Sequence, residues 1–176
     1  MFFRALLAFL ILPFLVAGLI PLVLAAIDLW RGHGFLFSGI LVAGLGLLVL
    51  LCCVRDFYIS GKGTLAPWDP PKHLVTVGLY RYSRNPMYIG VLTLIGGWAL
   101  LTASPLLASY LLLFAVIFHL RVLLYEEPWL SNRFGAEWIS YRANTPRWIR
   151  IIGLRHALSA TQKCFGLFSF YPYLCL

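Results

Sequence analysis

Long apolar runs, each closed by a charged or proline-rich interruption, set the pattern of this chain. The first extends from about Leu6 to Ile27, follows Arg4 and is punctuated by Pro13 and Pro21. It is longer than the roughly 7 to 15 apolar residues of a secretory signal, so a retained first span is expected. The second, GFLFSGILVAGLGLLVLLCCV (34–54), ends at Arg55 and Asp56. Its Gly39, Ala43, Gly44 and Gly46 predict a small-residue strip that a second helix can approach closely. A third run covers about Met87 to Thr102 and a fourth about Leu106 to Tyr125. Only Ala103, Ser104 and Pro105 separate them, and Pro105 suits the first turn of a helix. A tight antiparallel helical hairpin is predicted.

The interruptions differ in kind. Residues 55–86 carry Pro67, Pro70, Pro71 and Pro86, which excludes continuous helix and predicts an ordered loop over the membrane surface. From Pro128 to Arg142, Trp129, Phe134, Trp138 and Tyr141 recur at helical spacing among charges, the pattern of an amphipathic helix lying at the interface. Beyond Gly153 no periodicity is legible. The expected architecture is an all-α integral membrane protein of about four transmembrane helices, the last two forming the hairpin, plus a C-terminal amphipathic interfacial helix. Its parts are an N-terminal helix pair (1–54), a central region (55–150) and a tail (151–176).

Composition supports the membrane reading: 61% of the residues are hydrophobic and 11% charged, against about 25% charged in soluble domains. The net charge of +8 does not point to nucleic acid, because the basic residues flank the spans. Thirteen of the 14 lysines and arginines fall on one side of the four runs, with Arg31 alone opposite. By the positive-inside rule the chain is multi-pass, with both termini and both polar segments cytoplasmic. Cys52, Cys53, Cys164 and Cys175 have neither zinc-site nor disulfide-framework spacing; buried or interfacial thiols are expected, and no metal site.

That topology brings two clusters to one membrane face. LYRYSRNPMYIG (79–90) opens the third run and YEEP (125–128) closes the fourth. Asn85 and Pro86 read as N-cap and first helical residue. Capping does not explain Tyr80, Arg81, Tyr82, Arg84 and Tyr88 around the same helix start. A helix N-terminus attracts anions, and arginines turn it into a clamp for a carboxylate or phosphate. Glu126 and Glu127 are expected at a helix C-terminus, where the macrodipole disfavours them, so a positive partner is required: Arg84, Arg81 or a cationic ligand. His119 lies seven residues before Glu126 on roughly the same face, with Arg121 two further on, and an ionisable group within a span is a functional candidate. Arginines, aromatic faces and paired carboxylates together suit a zwitterionic aromatic cofactor. S-adenosylmethionine fits: a carboxylate for arginine, an ammonium and ribose hydroxyls for glutamate, a sulfonium for aromatic rings.

RNPMYIG, a short helical hairpin and LLYEEPW together resemble the signature of the membrane methyltransferases that include isoprenylcysteine carboxyl methyltransferases and phosphatidylethanolamine N-methyltransferases. NPMY with ASP and LLYEEP is similar to the phospholipid branch. GTLAPWDPPKHLVTVGLYRYSRNPMYIG and FGAEWISYRANTPRW are similar to bacterial proteins of the isoprenylcysteine branch. The resemblance covers about residues 55–150. It implies a cytosol-facing enzyme that takes S-adenosylmethionine and a lipophilic acceptor from the bilayer. Arg84, Asn85, Pro86, Tyr88 and Gly90 would belong to the cofactor pocket, closed by Glu126 and Glu127; Arg142 and Arg147 would face the acceptor. Asn85 stands where many members have histidine, and the end FGLFSFYPYLCL has no counterpart.

Methyl transfer is an in-line displacement that needs near-attack geometry away from water. A carboxylate acceptor needs no base; an amine acceptor must lose a proton to Glu126, Glu127 or a tyrosine. Two other readings compete: a membrane reductase of the sterol reductase type, using a nicotinamide cofactor with a similar arginine, proline and tyrosine motif, and a non-catalytic lipid-binding protein on the same scaffold.

Overall fold

A computed structural model of the chain describes residues 14–30, 36–61 and 73–149. The proline-rich centre of the expected loop, the basic residues Arg4, Arg31, Lys62 and Lys72, and the tail with Cys164 and Cys175 lie outside the described residues. Every regular element among the described residues is helical. They are α1 (Ile20–Trp30), entered from a π-helical turn at Leu15–Leu19; α2 (Ser38–Gly61); a short 3-10 turn at Gly78–Arg81; α3 (Pro86–Thr102); α4 (Pro105–Arg121); and, after a second π-helical turn at Val122–Glu126, α5 (Glu127–Asn144).

Ser38–Asp56 and Pro105–Asn144 are long and apolar enough to cross a membrane; Leu15–Asp28 and Pro86–Thr102 are apolar but shorter. At 40 residues, Pro105–Asn144 is about twice the length a bilayer needs. Its apolar part comes first, and α5 is the more polar part. Exposed Leu41, Leu45 and Leu48 on α2 and Leu112, Leu113 and Val116 on α4 suit a lipid solvent rather than water.

Small residues decide how α2 meets α3. A Cβ on Gly39 would strike the backbone of Leu101, one on Gly97 the backbone of Ala43, and one on Gly46 the backbone of Leu94. The strip expected on α2 is therefore real at Gly39, Ala43 and Gly46. Gly44 is a correction, because nothing lies within 4 Å of its Cβ position: one residue beyond Ala43 rotates it off the seam. Below this contact Leu50, Val91 and Ile95 form the core with Ala17.

Both π-helical turns stand at the same offset from a proline. Leu15–Leu19 precedes Ile20 and Pro21, and Val122–Glu126 precedes Glu127 and Pro128. Proline has no N–H and its ring clashes with the carbonyl four residues back; the widened turn relieves that clash without ending the helix. Within residues 14–30 the helix thus continues across Pro21. The carbonyls released there find side chains: Trp98 Nε1 donates to Ala17 O at 3.2 Å and the Tyr110 hydroxyl to Val16 O at 2.9 Å. These bonds fasten α1 to α3 and α4.

Ala103, in the left-handed region at φ 49°, and Ser104 connect α3 to α4. Ser104 Oγ accepts from Leu107 N at 3.0 Å and donates to the buried Asp28 of α1. Gly96 faces Leu111 and Tyr88 stacks on Phe118 at 4.5 Å, so α3 and α4 lie side by side in opposite directions. At the other end, Gly78 has φ +59° and its Cβ would collide with the Asp56 carboxylate, which accepts from Leu79 N at 3.4 Å. Only glycine permits both the conformation and the approach. The turn then seats Tyr80 on Cys53 and Val75.

Candidate functional site

The site is built where the start of α3, the start of α5 and the segment 145–149 converge. Arg84 stands two residues before α3, on backbone that donates Arg84 N to Pro146 O at 2.9 Å. Its Nη1 donates to Glu127 Oε1 at 2.9 Å, with the two side chains 8% and 9% exposed. Arg147 reaches the same carboxylate with two bonds, Nε to Oε1 at 2.7 Å and Nη2 to Oε2 at 2.8 Å. Glu127 is thus bracketed by two arginines from opposite sides in sequence. Burial opposes its charge, but the Arg147 hydrogen bonds and the Arg84 charge outweigh that and hold the carboxyl below its ordinary range. For Arg84 burial wins and lowers the guanidinium pKa, against the pull of Glu127. The Glu127 hydrogen bonds raise that of the more open Arg147.

Glu126 has a different neighbourhood. It accepts from the Tyr88 hydroxyl and from Arg121 Nε at 3.1 Å, with Arg121 53% exposed. The two carboxylates do not sit at a helix C-terminus as expected: the π-helical turn carries the helix on into α5, with Glu127 N donating to Val122 O. Adjacent residues on that continuous helix point in different directions, which separates the locked Glu127 from the half-open Glu126.

Asn85 occupies the N-cap position of α3 and Pro86 the first turn, yet the Asn85 side chain makes no capping bond. It donates Nδ2 to Arg147 O at 3.0 Å, and Ser83 Oγ donates to the same carbonyl at 3.2 Å. The capping role is corrected: the carbonyls of 146–147 compete for these donors and hold that segment against the start of α3. The amphipathic stripe is corrected too. Gly135, at φ 48° and ψ −118°, breaks α5, so Trp129 and Phe134 pair at the first half while Trp138 and Tyr141 turn inward. The Tyr141 hydroxyl donates to Tyr80 O at 2.7 Å, and Arg84 lies 5.4 Å over the Trp138 ring.

The remaining expected residues scatter around this centre. Tyr80 is buried in the core. Arg81 is exposed and makes no ion pair among the described residues. Gly90 packs against Leu50 and Val49 of α2. His119 accepts at Nδ1 from Trp148 Nε1 at 3.1 Å, outside the carboxylate clusters. Arg142 is exposed in the last turn of α5, close enough for its charge to act on Glu127. Trp138 was legible only as a member of an aromatic stripe. No group of three or more metal-ligating side chains occurs among the described residues.

Two donors in this centre lack an acceptor: Arg84 Nε and Trp138 Nε1, both buried. Unsatisfied buried N–H groups are rare, and both atoms can only donate, so the partner each lacks is an acceptor. The residues present thus suit a ligand that carries a carboxylate.

A family model described as phospholipid methyltransferase matches residues 35–137, more than half of the chain. The comparisons with curated proteins and with solved structures returned no match. The chain belongs to the phospholipid methyltransferase family.

Proposed function

We propose that this family member transfers a methyl group from S-adenosylmethionine to a lipophilic acceptor, a carboxylate or an amine, at the cytoplasmic face of a membrane. Membership supports a methyltransferase acting on a lipid-type substrate. The observation that carries the finer reading is the Arg84–Glu127 pair beside two unsatisfied buried donors. It gathers cationic and acidic groups from sequence-distant segments at the boundary of the apolar helices. α1 to α4 are read as four spans with α3 and α4 as the hairpin, and the distribution of basic residues supports a cytosolic site.

When bound, S-adenosylmethionine supplies an electrophilic methyl group on a sulfonium. Arg84 would hold the carboxylate end, Asn85 and Pro86 fix the start of α3, and Tyr88 and Glu126, which are hydrogen-bonded to each other, would serve the reacting end. Glu127 keeps Arg84 charged and aimed. Gly90 lets α3 approach α2 and so holds Tyr88 at the site. An amine acceptor gives its proton to Glu126, which is only half-buried and can pass it to water; a carboxylate acceptor gives none. Arg142 and Arg81, both exposed, would attract an acidic headgroup.

Calorimetry on purified protein in nanodiscs tests this, with wild type beside Glu126→Gln. Micromolar S-adenosylmethionine binding, with turnover lost in the folded variant when an amine lipid is offered, is the expected result. A folded wild type that binds NADPH instead establishes the reductase reading; one that binds neither establishes the scaffold reading.

A further inference from the structure

We infer that the second π-helical turn, Val122–Glu126, is a seat for the N–H groups of an amine headgroup, which the carbonyls of Leu123 and Leu124 and Glu126 Oε2 accept, and that Pro128 keeps those carbonyls open. The inference rests on the amine-acceptor form of the proposed function and adds a site that recognises the acceptor by its N–H donors.

The two π-helical turns share a construction and differ in how it is completed. Pro21 cannot donate to the carbonyls four and five residues back. Those are Ala17 and Val16, and Trp98 and Tyr110 supply the missing donors. Pro128 stands at the same offset from Leu124 and Leu123, and there no side chain among the described residues donates. A carbonyl without a partner is costly in an apolar setting, so a donor from outside the chain stabilises this turn. Glu126 ends the turn with the same surplus. Both of its donors, the Tyr88 hydroxyl and Arg121 Nε, go to Oε1, which leaves Oε2 to a further donor, and the side chain is 32% exposed. A helical side chain lies over the turn that precedes its own Cα, so this carboxylate stands over the two carbonyls. Acceptors alone, one of them charged, fit an ammonium with several N–H groups. Arg121, exposed beside them, suits the anionic part of the same headgroup. The turn joins apolar α4 to the more polar α5 among exposed Leu120, Leu124 and Tyr125, the level at which a lipid headgroup lies. Each N-methyl group replaces one N–H, so the seat holds the unmethylated amine and releases the trimethylated one.

The experiment is native mass spectrometry of the full chain in maltoside micelles without a methyl donor. It compares dihexanoyl phosphatidylethanolamine with dihexanoyl phosphatidylcholine, whose nitrogen has no N–H. Wild type is expected to bind the amine about tenfold more tightly. Pro128→Ala returns an N–H to the helix and is expected to abolish that preference by weakening the amine alone. Pro21→Ala acts where the carbonyls are already taken and is expected to keep it. Equal binding of the two lipids by wild type, binding of neither, or a preference that survives Pro128→Ala overturns the seat. A second measurement uses wild type alone and stands even if the variant does not fold. Labelling with 13C-carbonyl leucine and 15N-tyrosine selects the Leu124–Tyr125 and Leu79–Tyr80 steps. The Leu124 carbonyl should shift with the amine lipid and stay with the trimethylated one, with Leu79 as the reference; movement with both, or with neither, overturns the seat. Neither readout uses turnover, so a preference for the amine without any methyl transfer refutes the proposed function and upholds the seat.

Discussion

Arg147 meets Glu127 through two parallel hydrogen bonds, Nε to Oε1 at 2.7 Å and Nη2 to Oε2 at 2.8 Å. This fork, with the carbonyls of Pro146 and Arg147 held by Arg84, Ser83 and Asn85, straps residues 145–149 across the start of α3. Trp148 adds an anchor on His119.

Replacing Arg147 by Gln should loosen that strap while Arg84 still neutralises Glu127. Hydrogen bonds to charged groups contribute about 1.5–3 kcal/mol, so deuterium exchange at 145–149 should accelerate by roughly tenfold or more. Exchange at the wild-type rate would show that the backbone bonds alone hold the segment.

Acid should release the same strap. The Glu127 carboxyl is held below its ordinary value of 4.5, so the unfolded chain takes up this proton first as pH falls. The stabilisation is complete above pH 4.5 and disappears as pH drops through the lower value in the folded protein. Wild type should therefore lose more thermal stability than Glu127→Gln over this acid range. Parallel losses would refute the linkage. At neutral pH Glu127→Ala should cost about 3–5 kcal/mol, because it strands a buried arginine.

The seam between α2 and α3 offers a paired test. Gly97→Ala places a methyl against the Ala43 backbone, which cannot yield as a flexible side chain would, and should destabilise by about 1–3 kcal/mol. Gly44→Ala meets open space and should stay within about 0.5 kcal/mol of wild type. Equal unfolding temperatures for the two variants would contradict the packing.

Trp98→Phe and Tyr110→Phe each leave a carbonyl of the first π-helical turn without its donor. A loss of about 1–3 kcal/mol is expected for each, read as earlier thermal unfolding together with faster proteolysis at residues 14–30. Unchanged proteolysis in the double variant would mean that α1 is held by apolar contact alone.

Local chemistry was readable along the chain. Apolar length announced the helices, two of them long enough to cross a membrane, Pro86 and Pro105 marked two helix starts, and Gly39, Ala43 and Gly46 marked a face for close approach, because each depends on a residue and its near neighbours. The meeting of the Arg84 and Glu127 regions was implied by topology. Partner choice was not. That Pro21 would free a carbonyl is implicit in the residue; that Trp98, 81 positions away, would satisfy it is not. Asn85 reads as a cap until Arg147 O comes within reach, and Trp138 reads as surface aromatic until Gly135 turns it onto Arg84. Gly44 and Gly46 look alike in a glycine-rich run, and only the α3 backbone tells them apart. Sequence by itself determined which segments are helical and what each end could offer. Tertiary structure decided which donor meets which acceptor, since hydrogen bonds and close contacts act over a few ångströms while the chain brings together residues from its whole length.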